Sequence, residues 1–191
     1  MEPHSISKPY LEIDDQTKLQ LTVHEYIEEY NTLSKNKLDL VLFEDALSLL
    51  CKINRIISQP FGNALLVGLG GSGRHCLSRL ATYMQDYHLF EIEMENEFNQ
   101  NEWLEYLKEM LKFVGISNKP AVFLVGEANI VEEYFMEDIN NLLNVGEIPK
   151  LYTPDEKENV RLMILLIIIF SSLYLRSRSK TSVKAVRTCR I

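Results

Sequence analysis

The chain has 191 residues, enough to bury one sizeable core, and its 46% hydrophobic and 25% charged composition is ordinary for a globular domain. Its formal charge of −7 is unevenly spread: residues 176–191 hold six Lys or Arg and no acid, which leaves 14 basic against 27 acidic side chains elsewhere. That acidic body argues against general nucleic-acid binding. Cys51, Cys76 and Cys189 are odd in number and lack metal-ligand spacing, and no signal peptide opens the chain, which points to a reducing intracellular compartment.

Residues 1–16 are polar, contain Pro3 and Pro9 and show no sustained period, so they read as a loose arm. Val23, Tyr26, Ile27, Tyr30 and Leu33 mark one face of a helix that ends in the polar linker Ser34 to Lys37. A second helix presents Ala46, Leu49, Leu50, Ile53, Ile56 and Ile57 on one side and is ended by Pro60. Cys51, among these residues, reads as a small buried hydrophobe rather than a nucleophile.

Ala64 to Val67 is an unbroken apolar run of the kind a buried strand shows, and it leads into the glycine-rich stretch Gly68-Leu-Gly-Gly-Ser-Gly-Arg74. Leu77, Leu80, Ala81 and Met84 then recur at helical spacing. A glycine loop between strand and helix leaves the first helical N–H groups unpaired at the positive end of the helix dipole, which is an anion site. Two spacings fit. Gly68 to Gly73 followed by Arg74 is close to the G-x-x-x-x-G-K-[ST] phosphate loop, with Arg74 for the Lys and His75 for the Mg²⁺-holding Ser or Thr. Gly68, Gly70 and Gly73 alone satisfy the dinucleotide pattern G-x-G-x-x-G, with Glu91 and Glu93 placed to meet a ribose hydroxyl. A glycine-rich turn with no ligand is the third reading.

Phe90, Ile92 and Met94 alternate with Glu91, Glu93 and Glu95, a strand whose acids form a wet face. Trp103, Leu104, Leu107, Met110, Leu111 and Val114 mark a helix with Gly115 placed for its C-terminal cap. Ala121 to Val125 is a further apolar strand. Strands alternating with helices predict a parallel α/β sheet with right-handed crossovers, its ligand at the carboxyl ends of the strands, where Gly68–Arg74 and Gly126–Asn129 share a rim. Gly126 falls where a phosphate-loop NTPase keeps its metal-holding Asp, and Glu127 follows it. Ile139, Leu142 and Leu143 lie on one face of a helix over 135–144 with Gly146 after it, and Glu137 and Asp138 read as solvated. Thr153-Pro-Asp-Glu156 is a capping box that starts a helix.

Taken together, Leu40-Val-Leu-Phe-Glu-Asp-Ala46, Gln59 to Arg74, Leu77-Ser-Arg-Leu-Ala81, Ala121-Val-Phe-Leu-Val125, Glu137 to Pro149 and Asp155-Glu-Lys157 resemble the fourth AAA+ module of axonemal dynein heavy chains, over roughly residues 38–160. The resemblance implies an AAA+ phosphate-loop NTPase-like parallel sheet with flanking helices, incomplete because the helical lid is missing. It divides the chain into an arm and helix over 1–37, a nucleotide-binding module over 38–160, and an apolar segment with a basic tail over 161–191. Carried over, the implied ATP or ADP contacts are Gly68, Leu69, Gly70, Gly71, Ser72, Gly73, Arg74, His75 and Cys76, with Arg74 on the phosphates. Glu127 takes the catalytic position, and Mg²⁺ is left open because Gly126 offers no ligand.

In that family six modules form a ring that moves along microtubules, and the fourth is regarded as regulatory. The implied function is therefore nucleotide binding with weak or no hydrolysis by this chain alone; a non-catalytic structural fragment is the alternative. The implied partners are other dynein subunits and neighbouring AAA+ modules, with microtubules reached only through the full-length motor. The implied location is the cytoskeleton and the axoneme of a cilium or flagellum. Leu162 to Leu175 is uncharged. As a helix it is about 21 Å long, short of the ~30 Å hydrocarbon core, so a replaced chain end is favoured over a membrane anchor.

Overall fold

A computed structural model describes residues 15–60, 62–92, 99–117, 119–126 and 132–162. The elements run α1 (Gln16–Leu33), α2 (Glu44–Ile57), α3 (Arg74–Met84), β1 (His88–Glu91), α4 (Gln100–Ser117), β2 (Ala121–Leu124) and α5 (Glu133–Asn144), and residues 154–162 are helical. The sheet has two strands, β1 beside β2, and they are parallel. The α/β class with parallel strands and flanking helices is therefore as expected. The described chain divides into two compact units, one of residues up to 89 with 122–124, the other of 90–121 and 125 onwards.

In the first unit, α3 packs against both α2 and α1. Val23 and Ile27 of α1, Leu47, Leu50 and Ile53 of α2, and Leu77, Leu80 and Ala81 of α3 close one core with Leu38. Each large aliphatic side chain buried there contributes about 1.5–3 kcal/mol. The helical periods place most of these residues correctly, with two exceptions: Leu33 ends α1 and is exposed, and Leu47, outside the expected face of α2, is buried. Asp15 caps α1 by accepting from the Lys18 N–H at 3.1 Å. The run 38–43 is held along α1 by side chains rather than by a ladder. Asn31 accepts from the Leu38 N–H at 2.6 Å and donates to the Leu38 carbonyl at 2.9 Å, and Gln20 donates to the Leu42 carbonyl at 3.2 Å. Leu40 and Leu42 thereby pack on the core while Val41 and Phe43 face outward.

The expected buried strand at Ala64–Val67 is not formed. These residues carry no strand pairing among the described residues, and Leu65 and Val67 are 90% and 86% exposed. Only Leu66 packs on the core. Apolar character signals that a run should be buried, but a strand also needs main-chain partners on both sides.

In the second unit, Trp103, Leu107 and Met110 of α4 are buried, as are Phe90, Ile92, Phe135, Ile148 and Leu151. Phe90 meets Tyr106 and Phe113 edge-on. Burial first, then Glu109 and Glu91, push the Tyr106 hydroxyl up to about 12. The expected cap at Gly115 is not made, because α4 continues to Ser117, whose hydroxyl accepts from the Lys119 N–H at 3.2 Å. α4 starts on a capping box that went unnoticed: the Glu102 N–H donates to Asn99 at 3.0 Å and the Asn99 N–H to Glu102 at 3.2 Å. Gly146, at φ +73°, ends α5 as expected, and its N–H reaches the Asn141 and Leu142 carbonyls. Leu143 of that helix is 54% exposed, against expectation.

The capping box at 153–156 is present, and it is also ion-paired. The Thr153 N–H donates to Glu156 at 2.8 Å, and Lys108 of α4 reaches Glu156 and Glu105 at 3.0 Å each. The Thr153 N–H first, then the Lys108 ammonium, hold the Glu156 carboxyl down at about 2 from an ordinary 4.5. A carboxyl whose pKa is depressed on folding stabilises the fold above its unfolded pKa, and that contribution fades as pH falls through the folded value. Glu156→Gln is therefore expected to lower the urea midpoint at neutral pH, with the gap to wild type closing between pH 4.5 and about 2. A gap that stays constant across that window would disprove the assignment.

Candidate functional site

The glycine stretch forms the turn that opens α3. Gly71 and Gly73 sit at φ +77° and +74°, and Gly73 is the N-cap residue of α3. The left-handed region costs a residue with a Cβ about 1–2 kcal/mol, so the turn calls for glycine at both places. Two main-chain bonds shape it: the Ser72 N–H donates to the Leu69 carbonyl at 3.3 Å, and the Leu77 N–H to the Gly73 carbonyl at 2.8 Å.

The two sides of the turn differ. A Cβ added at Gly70 or Gly71 would meet nothing within 4 Å, whereas one at Gly73 would touch Leu40 Cδ2 at 3.5 Å. The open side lies beside the N-terminus of α3, where N–H groups and the helix dipole favour an anion. The geometry therefore suits a phosphate group approached by backbone.

Arg74, expected on the phosphates, bonds to its own loop. Its guanidinium donates from Nη1 to the Leu66 carbonyl at 3.3 Å and from Nη2 to the Leu69 carbonyl at 3.1 Å. Its Cδ and Nε lie 3.5 Å from where a Cβ on Gly68 would stand, and Ser72 Oγ lies 3.2 Å from the same point. His75 is half-buried, and Cys76 is half-buried against the core, which suits packing behind the loop. Cys51 is half-buried too, and burial pushes its thiol pKa up, against nucleophilic use.

Residues Gly68 to Cys76 thus form one continuous turn and first helical turn. Glu127 lies outside the described residues, as do Ala128, Asn129 and Glu93. Glu91 is half-buried on β1. Among the described residues no group of three or more His, Cys, Asp or Glu could hold a metal ion. Sequence reasoning missed Leu40, which backs Gly73, and Gly62, whose position the main chain of Ile56 crowds. Gly62 stands two residues after Pro60, a turn signal that could have exposed it.

A glycine turn with two left-handed residues, opening a core-packed helix in an α/β body, is the build of a phosphate-loop module. The chain belongs to the family described as P-loop containing dynein motor region D4, which matches residues 38–182. It is 46% identical over 160 residues to dynein axonemal heavy chain 1 of Homo sapiens, covering 84% of this chain and 4% of that protein. It is 45% identical over 152 residues to the dynein-1-beta heavy chain of the flagellar inner arm I1 complex of Chlamydomonas reinhardtii, covering 79% of this chain and 3% of that protein. Dynein axonemal heavy chain 3 of Homo sapiens is 40% identical over 159 residues, 83% of this chain and 4% of that protein. The chain therefore spans a few per cent of the length of the curated relatives it matches.

Proposed function

We propose that this chain is a regulatory nucleotide-binding module of a dynein heavy chain, taking ATP or ADP at Gly68 to Cys76 and hydrolysing it weakly or not at all. The observation that carries the reading is the pair of left-handed glycines, Gly71 and Gly73, at the N-terminus of α3, with open space at Gly70 and Gly71. Backbone N–H groups of the turn bind the phosphates, and Arg74 adds a planar, permanently charged fork. Glu127 is the carboxylate proposed to orient water. Gly126 has no side chain to hold Mg²⁺, and His75 replaces the expected hydroxyl. These residues do not fit a firmly held metal, so no step is drawn through one.

The axonemal names of the relatives support a place in the cytoskeleton of a cilium or flagellum. Neighbouring modules of a heavy chain are the proposed partners, with microtubules reached only through the full motor. Exposed Val41, Phe43, Leu65, Val67 and Leu69 supply apolar surface suited to such contacts.

Calorimetry of the full chain with ATP and with ADP, with and without Mg²⁺, tests the reading. Micromolar binding is expected, and Arg74→Ala should weaken it about tenfold or more, the scale of one charge-assisted hydrogen bond. A folded protein that gives no heat with either nucleotide overturns the proposal.

A further inference from the structure

We infer that Arg74 is an internal latch of the glycine loop: its guanidinium bridges the Leu66 and Leu69 carbonyls, and a phosphate group that takes the same two N–H groups must draw it off those carbonyls. The two bonds, 3.3 Å from Nη1 and 3.1 Å from Nη2, join the run entering the loop to the loop itself. Leu69 is the node. Its carbonyl also accepts from the Ser72 N–H at 3.3 Å, so one oxygen fastens both the first residue of α3 and the middle of the turn.

Guanidinium N–H groups point in fixed directions, and those aimed at the two carbonyls cannot meet a phosphate oxygen at the same time. Carbonyl and phosphate are thus alternative acceptors for those two N–H groups. A lysine carries all its N–H groups on one nitrogen and has to reach both carbonyls from a single point, whereas the guanidinium reaches them from two nitrogens held in a fixed fork. The arginine in place of the usual phosphate-loop lysine thereby acquires a role in shaping the loop, in addition to its charge. The competition with phosphate rests on the proposed nucleotide site; the bridging of the loop does not.

Amide hydrogen exchange on the full 191-residue chain separates the two. Without nucleotide, the Ser72 amide is expected to exchange about tenfold faster in Arg74→Lys and in Arg74→Ala than in wild type, while Leu80 and Ala81 inside α3 stay protected. If Arg74→Ala also exposes α3, it has lost local structure and Arg74→Lys decides. Equal Ser72 exchange in wild type and Arg74→Lys overturns the latch. ADP added to wild type should slow exchange at Gly70 to Gly73. Faster exchange in the variants with no effect of ADP leaves the latch standing and sinks the nucleotide reading.

Discussion

Gly62→Ala is expected to lower stability by about 3 kcal/mol, the upper end of what overpacking ordinarily costs. A Cβ at this position would lie 1.8 Å from the Ile56 carbonyl oxygen, 2.8 Å from its carbon and 3.1 Å from the Gln59 carbonyl oxygen. All three atoms are main chain, so no rotamer change relieves the overlap. The crowding arises because the chain folds back under the last turn of α2. The Ser58 N–H donates to Asn54, the Gln59 N–H to Ile56 and the Gly62 N–H to Gln59, each at 3.1 Å. Relief requires moving either the end of α2, which carries the core residues Leu50 and Ile53, or the run 63–67 that feeds the loop. The second route would also shift the Leu66 carbonyl to which Arg74 donates. Gly70→Ala is the matched control. Nothing lies within 4 Å of its added Cβ, so its urea midpoint should stay close to wild type. A Gly62→Ala midpoint as close to wild type as that of Gly70→Ala would show that the α2 turn yields freely, contrary to the packing.

The contrast between Gly62 and the loop glycines shows which parts of this fold the sequence displays. Gly71 and Gly73 satisfy a local rule, the left-handed backbone at a helix start, and local rules are written in neighbouring residues. The same holds for the capping box at 153–156, for Gly146 after α5, and for the apolar stripes of α1, α2 and α4 apart from the exposed Leu33 and Val114. Gly62 owes its identity to the carbonyl of a residue six positions earlier; the signal at Pro60 marks a turn there, but not the atom that crowds it. The run 64–67 failed for a related reason. Its composition specifies burial, but a strand is made by its neighbours, and Leu65 and Val67 have none that cover them among the described residues. Gly115 shows the reverse error. A glycine inside a helix costs only about 1 kcal/mol against alanine, too little to stop α4 when Ser117 and Pro120 follow with a stronger stop. At the site, the motif identified every residue of the turn but not where the Arg74 side chain goes. Spacing gives a charge its position along the chain, not its acceptor.

Asp138 corrects the expectation of a solvated acid, and its partner Trp103 carries a larger expected stability effect than Gly62. Trp103, the single tryptophan, is fully buried. Its ring meets Phe135 at 4.6 Å between centroids, and its Nε1 donates to Asp138 Oδ2 at 2.9 Å. Both partners lie on α5, so one side chain fastens α4 to α5 by packing and by direction. Trp103→Ala removes both and is expected to cost about 3–5 kcal/mol, as for other buried aromatic truncations. Trp103→Phe keeps a ring against Phe135 but has no N–H to offer. Its cost should therefore divide into a packing part and a hydrogen-bond part of about 1 kcal/mol, because Asp138 is only half-buried and water can replace the lost donor. Asp138→Ala isolates the second part, and the cycle of Trp103→Phe with Asp138→Ala measures the coupling directly. Far-ultraviolet circular dichroism must follow unfolding in the Trp103 variants, since the substitution removes the only indole, whereas Asp138→Ala can be followed by tryptophan emission as well. A coupling near zero would mean that the indole N–H gains nothing from Asp138 over water. The α4–α5 pairing would then rest on packing of the edge-on rings, and Trp103→Phe should show only its packing cost.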